Sequence, residues 1–498
     1  MASQSSEVVS VNATVAAPAV PTPSPAPAPA RKGPPPHLPV ILSIVLPIVY
    51  GLLAAPLFQS AANPDVNIPR LPVFVSNFDT APAGALDIGT AFITFWGTYS
   101  GGSQWVTNNG ALSTTLPGIQ IVQPSQFTPE QLRQQVRDSK IYAAIFVNSG
   151  ASAALASALS SPSAAASYDS SQAVTIVWDE ARNNQVTSPR IGGPLKGLLG
   201  ALEKALTAMN MGRFMATPNA GSQFTTADQK KLLAGMLASP VHYSEESLYP
   251  FTAPVLNQAL TVGQILLCVF ALIICNVTYG PVNFIPFVRS AKPGVDLALR
   301  RLAVILLLAM MVGVAYSTIL VGIANKSNIT LNGQSMVPGV TYGATTAQGS
   351  FSGSVWAQVW ATQWLETGIF AVWLAIFVTL AGDPAVAGAF LGPMIIFNAL
   401  SISVDVSDAG FQFFWYAPMW HSSELVRYIM FGTLASRVGM HVGVHFLWLI
   451  VEVALFFGAH QVDARKKAAA AAAAAAKDAA VPAPAGIADA APADTKAT

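Results

Sequence analysis

Glu452 sits inside the apolar stretch Trp448-Leu449-Ile450-Val451-Glu452-Val453. A carboxyl group in an apolar run of membrane length is costly, and it marks a transport pathway, a proton site or a buried pair. Asn276 and Asn398 occupy other apolar runs and are polar side chains it could meet; the structural alternative is a protonated carboxyl hydrogen-bonded to one of them. Arg427 follows His421 and Glu424 in a stretch too polar for a membrane span. A guanidinium there can pair a lipid phosphate or a substrate carboxylate, or simply reach the interface along its stem. Asp179, Glu180, Arg182 and Asn183 close an apolar run that ends at Trp178. They read as a buried ion pair or as a ligand site. His441 and His445 lie four apart on one helical face, a metal-pair spacing without a third placed ligand, so no metal is expected.

The material around these residues is apolar. Hydrophobic residues make up 52% of the chain and charged residues 10%, against roughly 25% charged in soluble domains. Hydrocarbon about 30 Å thick is crossed by about 20 apolar helical residues. Leu38–Phe58, Leu260–Tyr279, Leu302–Ala324, Leu365–Ala381, Ala385–Val404 and Val442–Ala459 approach that length, and Leu365–Ala381, the shortest, carries Glu366 near its edge. The expected fold is therefore a polytopic α-helical membrane protein. It has six transmembrane helices (one, then five) and a large α/β extracytoplasmic domain between the first and second. Residues 1–37 read as a disordered cytosolic tail rich in Pro and Ala, 38–60 as the first span, and 61–258 as the α/β domain. Residues 259–460 read as a five-helix membrane domain with an outer re-entrant hairpin near 411–438, and 461–498 as a cytosolic Ala-rich tail.

Within the α/β domain, Leu71–Phe78, Ile119–Val122, Ile141–Asn148 and Val174–Asp179 read as buried strands. Leu86–Trp96, Pro129–Asp138 (Thr128 its N-cap) and Ser152–Leu159 read as helices between them. Leu195, Leu198, Leu199, Leu202, Ala205, Leu206 and Met209 recur at helical spacing, as core or membrane-edge packing rather than a groove. Basic residues set the orientation: Arg31 and Lys32, then Arg289, Lys292, Arg300 and Arg301, then Arg465, Lys466 and Lys467 fall on one side of six spans. The positive-inside rule assigns that side, and both termini, to the cytosol. Asn325 and Asn328 begin glycosylation sequons in the loop from Asn325 to Trp364, which is then outside.

No basic stripe or aromatic-basic interleaving points to nucleic acid. Cys268 and Cys275 are the only cysteines, both in one span, which excludes a disulfide framework. A Walker loop, a G-x-S-x-G elbow and an H-E-x-x-H helix are all absent from the sequence. Neither an enzyme nor a cofactor is expected.

One span, a large outer domain, then five spans with a hairpin before the last resembles the membrane subunits of type-two ABC exporters and the bacterial phage-infection-protein family. More closely, the chain resembles the fungal nitrosoguanidine-resistance protein family. The resemblance rests on Tyr142-Ala143-Ala144-Ile145 with Asn148 and Ala151-Ser152, on Asp179-Glu180-Ala181-Arg182-Asn183, and on Tyr416-Ala417-Pro418 followed by Arg427 and Phe431-Gly432. It covers about Val40 to Ala459, with Tyr142 standing where that family carries tryptophan as often as not. It implies a plasma-membrane or endomembrane protein concerned with tolerance of toxic small molecules and with lipid distribution between leaflets. Its partners would be the lipid bilayer, a lipid or lipophilic cargo, and a separate ATPase subunit or a second copy of the chain. A non-transporting regulator or scaffold, whose outer domain binds a partner, is the competing expectation.

Overall fold

The computed structural model describes residues 67–100, 104–106, 113–183, 186–249, 259–280, 285–331, 351–399 and 415–479. The expected first span, the N-terminal tail, the aromatic start of the hairpin (Phe411–Phe414) and the last part of the C-terminal tail lie outside these residues, as does the side chain of Asn328. Seven strands are described: β1 (Pro72–Asn77), β2 (Gln104–Val106), β3 (Ser113–Thr115), β4 (Gly118–Ile121), β5 (Ala143–Val147), β6 (Val174–Trp178) and β7 (Tyr243–Ser247). Five form one sheet in the order β4-β1-β5-β6-β7, and β2 pairs with β3 alone. β6 runs antiparallel to β5, with Ile145 opposite Ile176, while the other pairs in the sheet are parallel. The four apolar runs expected as strands are β1, β4, β5 and β6.

β5 and β6 are buried at every position, because both faces of the sheet are covered. Ala143, Ile145 and Val147 join one apolar cluster with Val73, Val75 and Ile176; Ala144 and Phe146 join another with Leu132, Val136 and Val177. The covering helices are α1 (Ile88–Gly97), α2 (Pro129–Arg137), α3 (Ala151–Ser160), α4 (Pro162–Ser167), α5 (Gly193–Ala216) and α6 (Ala227–Ala238). Thr128 caps α2 in a reciprocal capping box with Gln131. On α5 the expected stripe buries Leu195, Leu198, Leu199, Leu202 and Leu206, whereas Ala205 and Met209 face outward. α6 and β7 went unread in the sequence. Thr226 and Gln229 form a second capping box that signals α6. β7, with the sequence Tyr-Ser-Glu-Glu-Ser, is a polar edge strand without apolar alternation.

The remainder is helical: α7 (Gln264–Tyr279), α8 (Pro286–Arg289), α9 (Val295–Leu331), α10 (Gly353–Ala381), α11 (Ala385–Ala399), α12 (Pro418–Phe431) and α13 (Val438–Ala479). Three helical stretches, Val295–Asn325, Gly353–Ala381 and Ala435–Lys477, are long and apolar enough to cross a membrane. α7 and α11 are apolar but shorter. α10 corrects the sequence reading, since it begins at Gly353 and places Glu366 in mid-helix rather than at a span edge. Asn325 likewise belongs to α9 rather than to a loop, and its side-chain oxygen accepts from the Phe351 N–H at 2.6 Å.

α10 is apolar almost all round because it is the centre of the bundle, packed against α7, α9, α11, α12 and α13. Cys268 and Cys275 are buried in that core as free thiols. α9 and α10 approach closely at Gly313, where a Cβ would meet the Trp364 backbone N at 3.1 Å. Along the same seam Trp356, Trp360 and Trp364 stack at 6.0 and 5.8 Å, and their indoles donate to Thr318 Oγ1, Met310 O and Leu306 O. Rows of outward-facing apolar side chains, such as Leu307, Met311 and Ile319 on α9 and Phe446, Ile450 and Leu455 on α13, are what a lipid-facing surface requires. α13 makes different contacts along its length. Ser436, just before it, donates to Asp138 O of the α/β region at 3.0 Å, whereas His460 Nε2 lies 3.3 Å from Arg301 Nη1, near the basic start of α9.

Candidate functional site

Two groups of buried polar side chains emerge, one where the α/β region meets the helices and one inside the bundle. The first begins at the end of β6. Asp179 Oδ1 accepts from the Arg182 backbone N–H at 3.0 Å, which tightens the chain into a turn. The Arg182 guanidinium lies over the Tyr142 ring, 3.6 Å from its centroid, and donates to Ile141 O at 3.0 Å. From the helical side, Thr433 donates to Asp179 Oδ2, and Arg427 Nη1 donates to Arg182 O at 3.0 Å and to Glu424 Oε1 at 2.6 Å. Arg427 is 1% exposed, and its Nε and Nη2 have no partner among the described residues.

The charge cluster and Arg427, 245 positions apart in the chain, thus meet directly. Burial pushes the Asp179 carboxyl up to about 6, against the opposing pull of the Thr433 hydroxyl and of Arg182. Glu180 accepts from Ser247 Oγ at 3.4 Å. Asn183 is buried, and its backbone carbonyl accepts from the Val186 and Thr187 N–H groups. α12 reaches this position because Pro418 starts it and Gly432, in the left-handed region at φ 79°, ends it. Within the expected hairpin segment, Pro418–Phe431 is a helix buried on nearly every side.

Inside the bundle, Glu366 is fully buried and accepts from the Ser422 hydroxyl of α12. With its amide oriented so that the nitrogen faces Glu366, Gln264 at the start of α7 donates to both Glu366 oxygens at 2.5 and 2.9 Å and accepts from Gln363 Nε2 at 3.2 Å. Beside this knot, the Nδ1 atoms of His421 and His441 lie 2.9 Å apart, within hydrogen-bond distance, and the ring of His445 lies 6.3 Å from that of His421. The Nε2 atoms of all three histidines lack partners among the described residues. Within those residues no group of three or more His, Cys, Asp or Glu is placed to hold a metal ion.

Glu452 differs from Glu366. It is 2% exposed on α13, and neither carboxylate oxygen has a hydrogen-bond partner among the described residues. The expected partners are elsewhere: Asn276 is exposed on α7, and Asn398 ties α11 to α12, donating to Met394 O at 2.9 Å and accepting from the Met419 N–H at 3.3 Å. Below Glu452, Tyr279 Oη lies 2.9 Å from Thr379 Oγ1 and 3.5 Å from His460 Nε2, and Arg301 covers the Tyr279 ring at 4.0 Å.

A family of proteins of unknown function (DUF3533) matches residues 52–454, most of the chain. The chain belongs to that family. The DUF3533 match takes in the sheet, the junction and Glu452 alike, so both groups of buried polar residues are part of the family's own domain. No curated protein and no solved structure matches this DUF3533 chain.

Sequence reasoning saw Glu366 only as a charge near a span edge, and missed Gln264 and Gln363. Gln363 and Glu366 are three apart and Thr367 follows, so a polar face on α10 was legible once the helix was extended back to Gly353.

Proposed function

We propose that this is a six-span membrane protein that moves a lipid or a lipophilic toxic molecule across the bilayer. Nitrosoguanidine-type drug resistance and lipid distribution between leaflets would be its consequences. The observation that carries the reading is Glu452, a buried carboxyl with no partner in a helix long and apolar enough to span. Such a residue is expensive and has no structural return, which favours a pathway or proton site. Its neighbours support this. His441, His445, Glu452 and His460 are all buried on α13. At 100° per residue they fall within a face about 100° wide, and at 1.5 Å per residue they extend over about 29 Å, close to the hydrocarbon thickness.

In this reading the basic start of α9 and the basic segment of α13 at Arg465, Lys466 and Lys467 face the cytosol in the plasma membrane, with both termini, and the α/β region is extracytoplasmic. The energy source is a proton gradient acting through Glu452 or a separate ATPase subunit, with self-association as a further option. Arg427 keeps the N–H donors of Nε and Nη2 for an anionic headgroup.

A second reading, a non-transporting regulator or scaffold, is favoured by a different observation. Arg427 and Asp179 are engaged in joining two regions of the same chain, which is what assembly alone would ask of them.

The test follows a fluorescent phospholipid across the plasma membrane in cells lacking the protein and in cells expressing it or Glu452→Gln. The assay is repeated after ATP depletion and after collapse of the proton gradient. Movement that requires both the protein and Glu452 supports transport, and the treatment that stops it names the energy source. Identical traces in all strains remove phospholipid transport and favour the regulator.

A further inference from the structure

The α/β region contains a cavity of about 320 Å³ that neither the junction nor the bundle uses. Its walls come from α3, the C-terminal half of α5 and the turn-rich segment between α5 and α6, with Leu86, Leu155, Leu159 and Phe224 among its apolar lining. Two polar side chains of α5 line the same space, Asn210 and Arg213, which are three apart and so share a helical face. Asn210 is 2% exposed, and its Nδ2 has no hydrogen-bond partner among the described residues. An amide N–H buried without an acceptor has lost its hydration for nothing, so it is a donor waiting for a ligand oxygen. Arg213 is exposed, and one of its guanidinium nitrogens, Nη2, donates to Gly84 O at 2.6 Å, which sets the group at the cavity wall with other N–H donors uncommitted.

The shape of the far wall is built in by backbone turns. Asn219 and Gly221 adopt the left-handed region at φ 60° and 78°, and the Thr217, Ala220, Ser222 and Phe224 N–H groups each close a four-residue turn. A Cβ on Gly221 would meet Leu233 and Phe214 at 2.9 Å, so this wall is fitted against α5 and α6.

An apolar cleft with a few convergent polar groups is the general form of a small-molecule site. We infer that this cavity binds a medium-chain amphiphile with a carboxylate head, the chain against Leu155, Leu159 and Phe224 and the carboxylate between Asn210 Nδ2 and the Arg213 guanidinium. A carboxylate suits this pair because it accepts several hydrogen bonds at once and complements a guanidinium. At about 30 Å³ per water-sized group, the cavity holds about ten non-hydrogen atoms, the size of octanoate. The inference does not depend on lipid transport: the cavity would bind such a ligand in a regulator as readily as in a transporter.

The test is equilibrium dialysis of radiolabelled octanoate against the full chain in lipid nanodiscs, with empty nanodiscs as blank and octanol as the uncharged probe of equal chain length. Expected are one saturable octanoate site per chain, no saturable octanol binding, at least tenfold weaker octanoate binding in Arg213→Gln, and loss of binding in Ala156→Phe, which fills the cavity. Arg213 is exposed, so its variant keeps the fold even where Ala156→Phe does not, and a thermal melt of each variant verifies this. Octanoate uptake no greater than that of empty nanodiscs overturns the inference, as does unchanged binding in Arg213→Gln. Octanol binding equal to octanoate overturns the carboxylate assignment.

Discussion

Glu366 and Glu452 are both carboxyls removed from water in the core of one helical bundle, at 0% and 2% exposure, yet their surroundings are opposite. Glu366 is met by the Ser422 hydroxyl and the Gln264 amide, donated by two other helices. It therefore fastens α7 and α12 onto α10. Glu452 is met by nothing polar among the described residues. A buried polar group that is fully hydrogen-bonded specifies packing, whereas one left bare weakens the fold and is retained for something else. The same chain thus holds one carboxyl for architecture and another whose reason for being there is not architectural.

The sharpest way to test the comparison is to make both groups apolar. Glu366→Leu strands the Ser422 hydroxyl and the Gln264 amide in the core, at a cost of about 1–3 kcal/mol for each orphaned group. Thermal unfolding of the purified protein should show a loss of about 3 kcal/mol or more, with Glu366→Gln milder. Glu452→Leu removes an unpaired buried carboxyl, and the same melt should show no loss or a gain of about 1 kcal/mol, while phospholipid movement stops. If the two leucine variants melt equally early, Glu452 has a structural partner and the contrast collapses.

The junction offers a test by titration. The Asp179 carboxyl ionises near 6 in the fold against about 3.9 in an unfolded chain. Below about pH 4 it is protonated in both states and the fold bears no penalty from it. As pH rises toward 6 the unfolded chain ionises first, and stability falls until the folded group also ionises. Between pH 5 and 7 this amounts to a loss of about 1 kcal/mol. Melts at the two pH values should show that difference in the wild type and not in Asp179→Asn, and an identical slope in both would remove Asp179 as its source. The smallest change concerns Ser436, whose hydroxyl reaches Asp138 O at an exposed edge of the same junction. Ser436→Ala should cost about 0.5 kcal/mol, and a larger loss would mean that the edge carries more of the junction than its exposure suggests.

Much of the architecture could be read in advance because it is written in local patterns. The runs at Leu71, Ile119, Ile141 and Val174 became strands, since a continuous apolar run suits a strand buried on both faces. Thr128 marked its helix by a side chain reaching its own third residue. β7 escaped because it borrows its place from β6 through backbone pairing and offers no apolar side chains of its own. The start of α10 escaped because Gln358, Thr362 and Gln363 break the apolar run before Leu365, and Gln363 Nε2 is satisfied only by Gln264 and Ser422, which arrive from other helices.

The sequence by itself determined the apolar bulk of this protein, the alternation of its α/β region and the oddity of Glu452 and Arg427, because composition, periodicity and the cost of a charge in an apolar run are properties of single segments. Only the tertiary structure decided which polar groups meet. Arg427 finds the carbonyl of Arg182, Thr433 finds Asp179, Gln264 finds Glu366, and Glu452 finds no partner among the described residues. Hydrogen bonds are short and directional, so they depend on distances of about 3 Å between elements that lie far apart in the chain, and no local pattern encodes those distances.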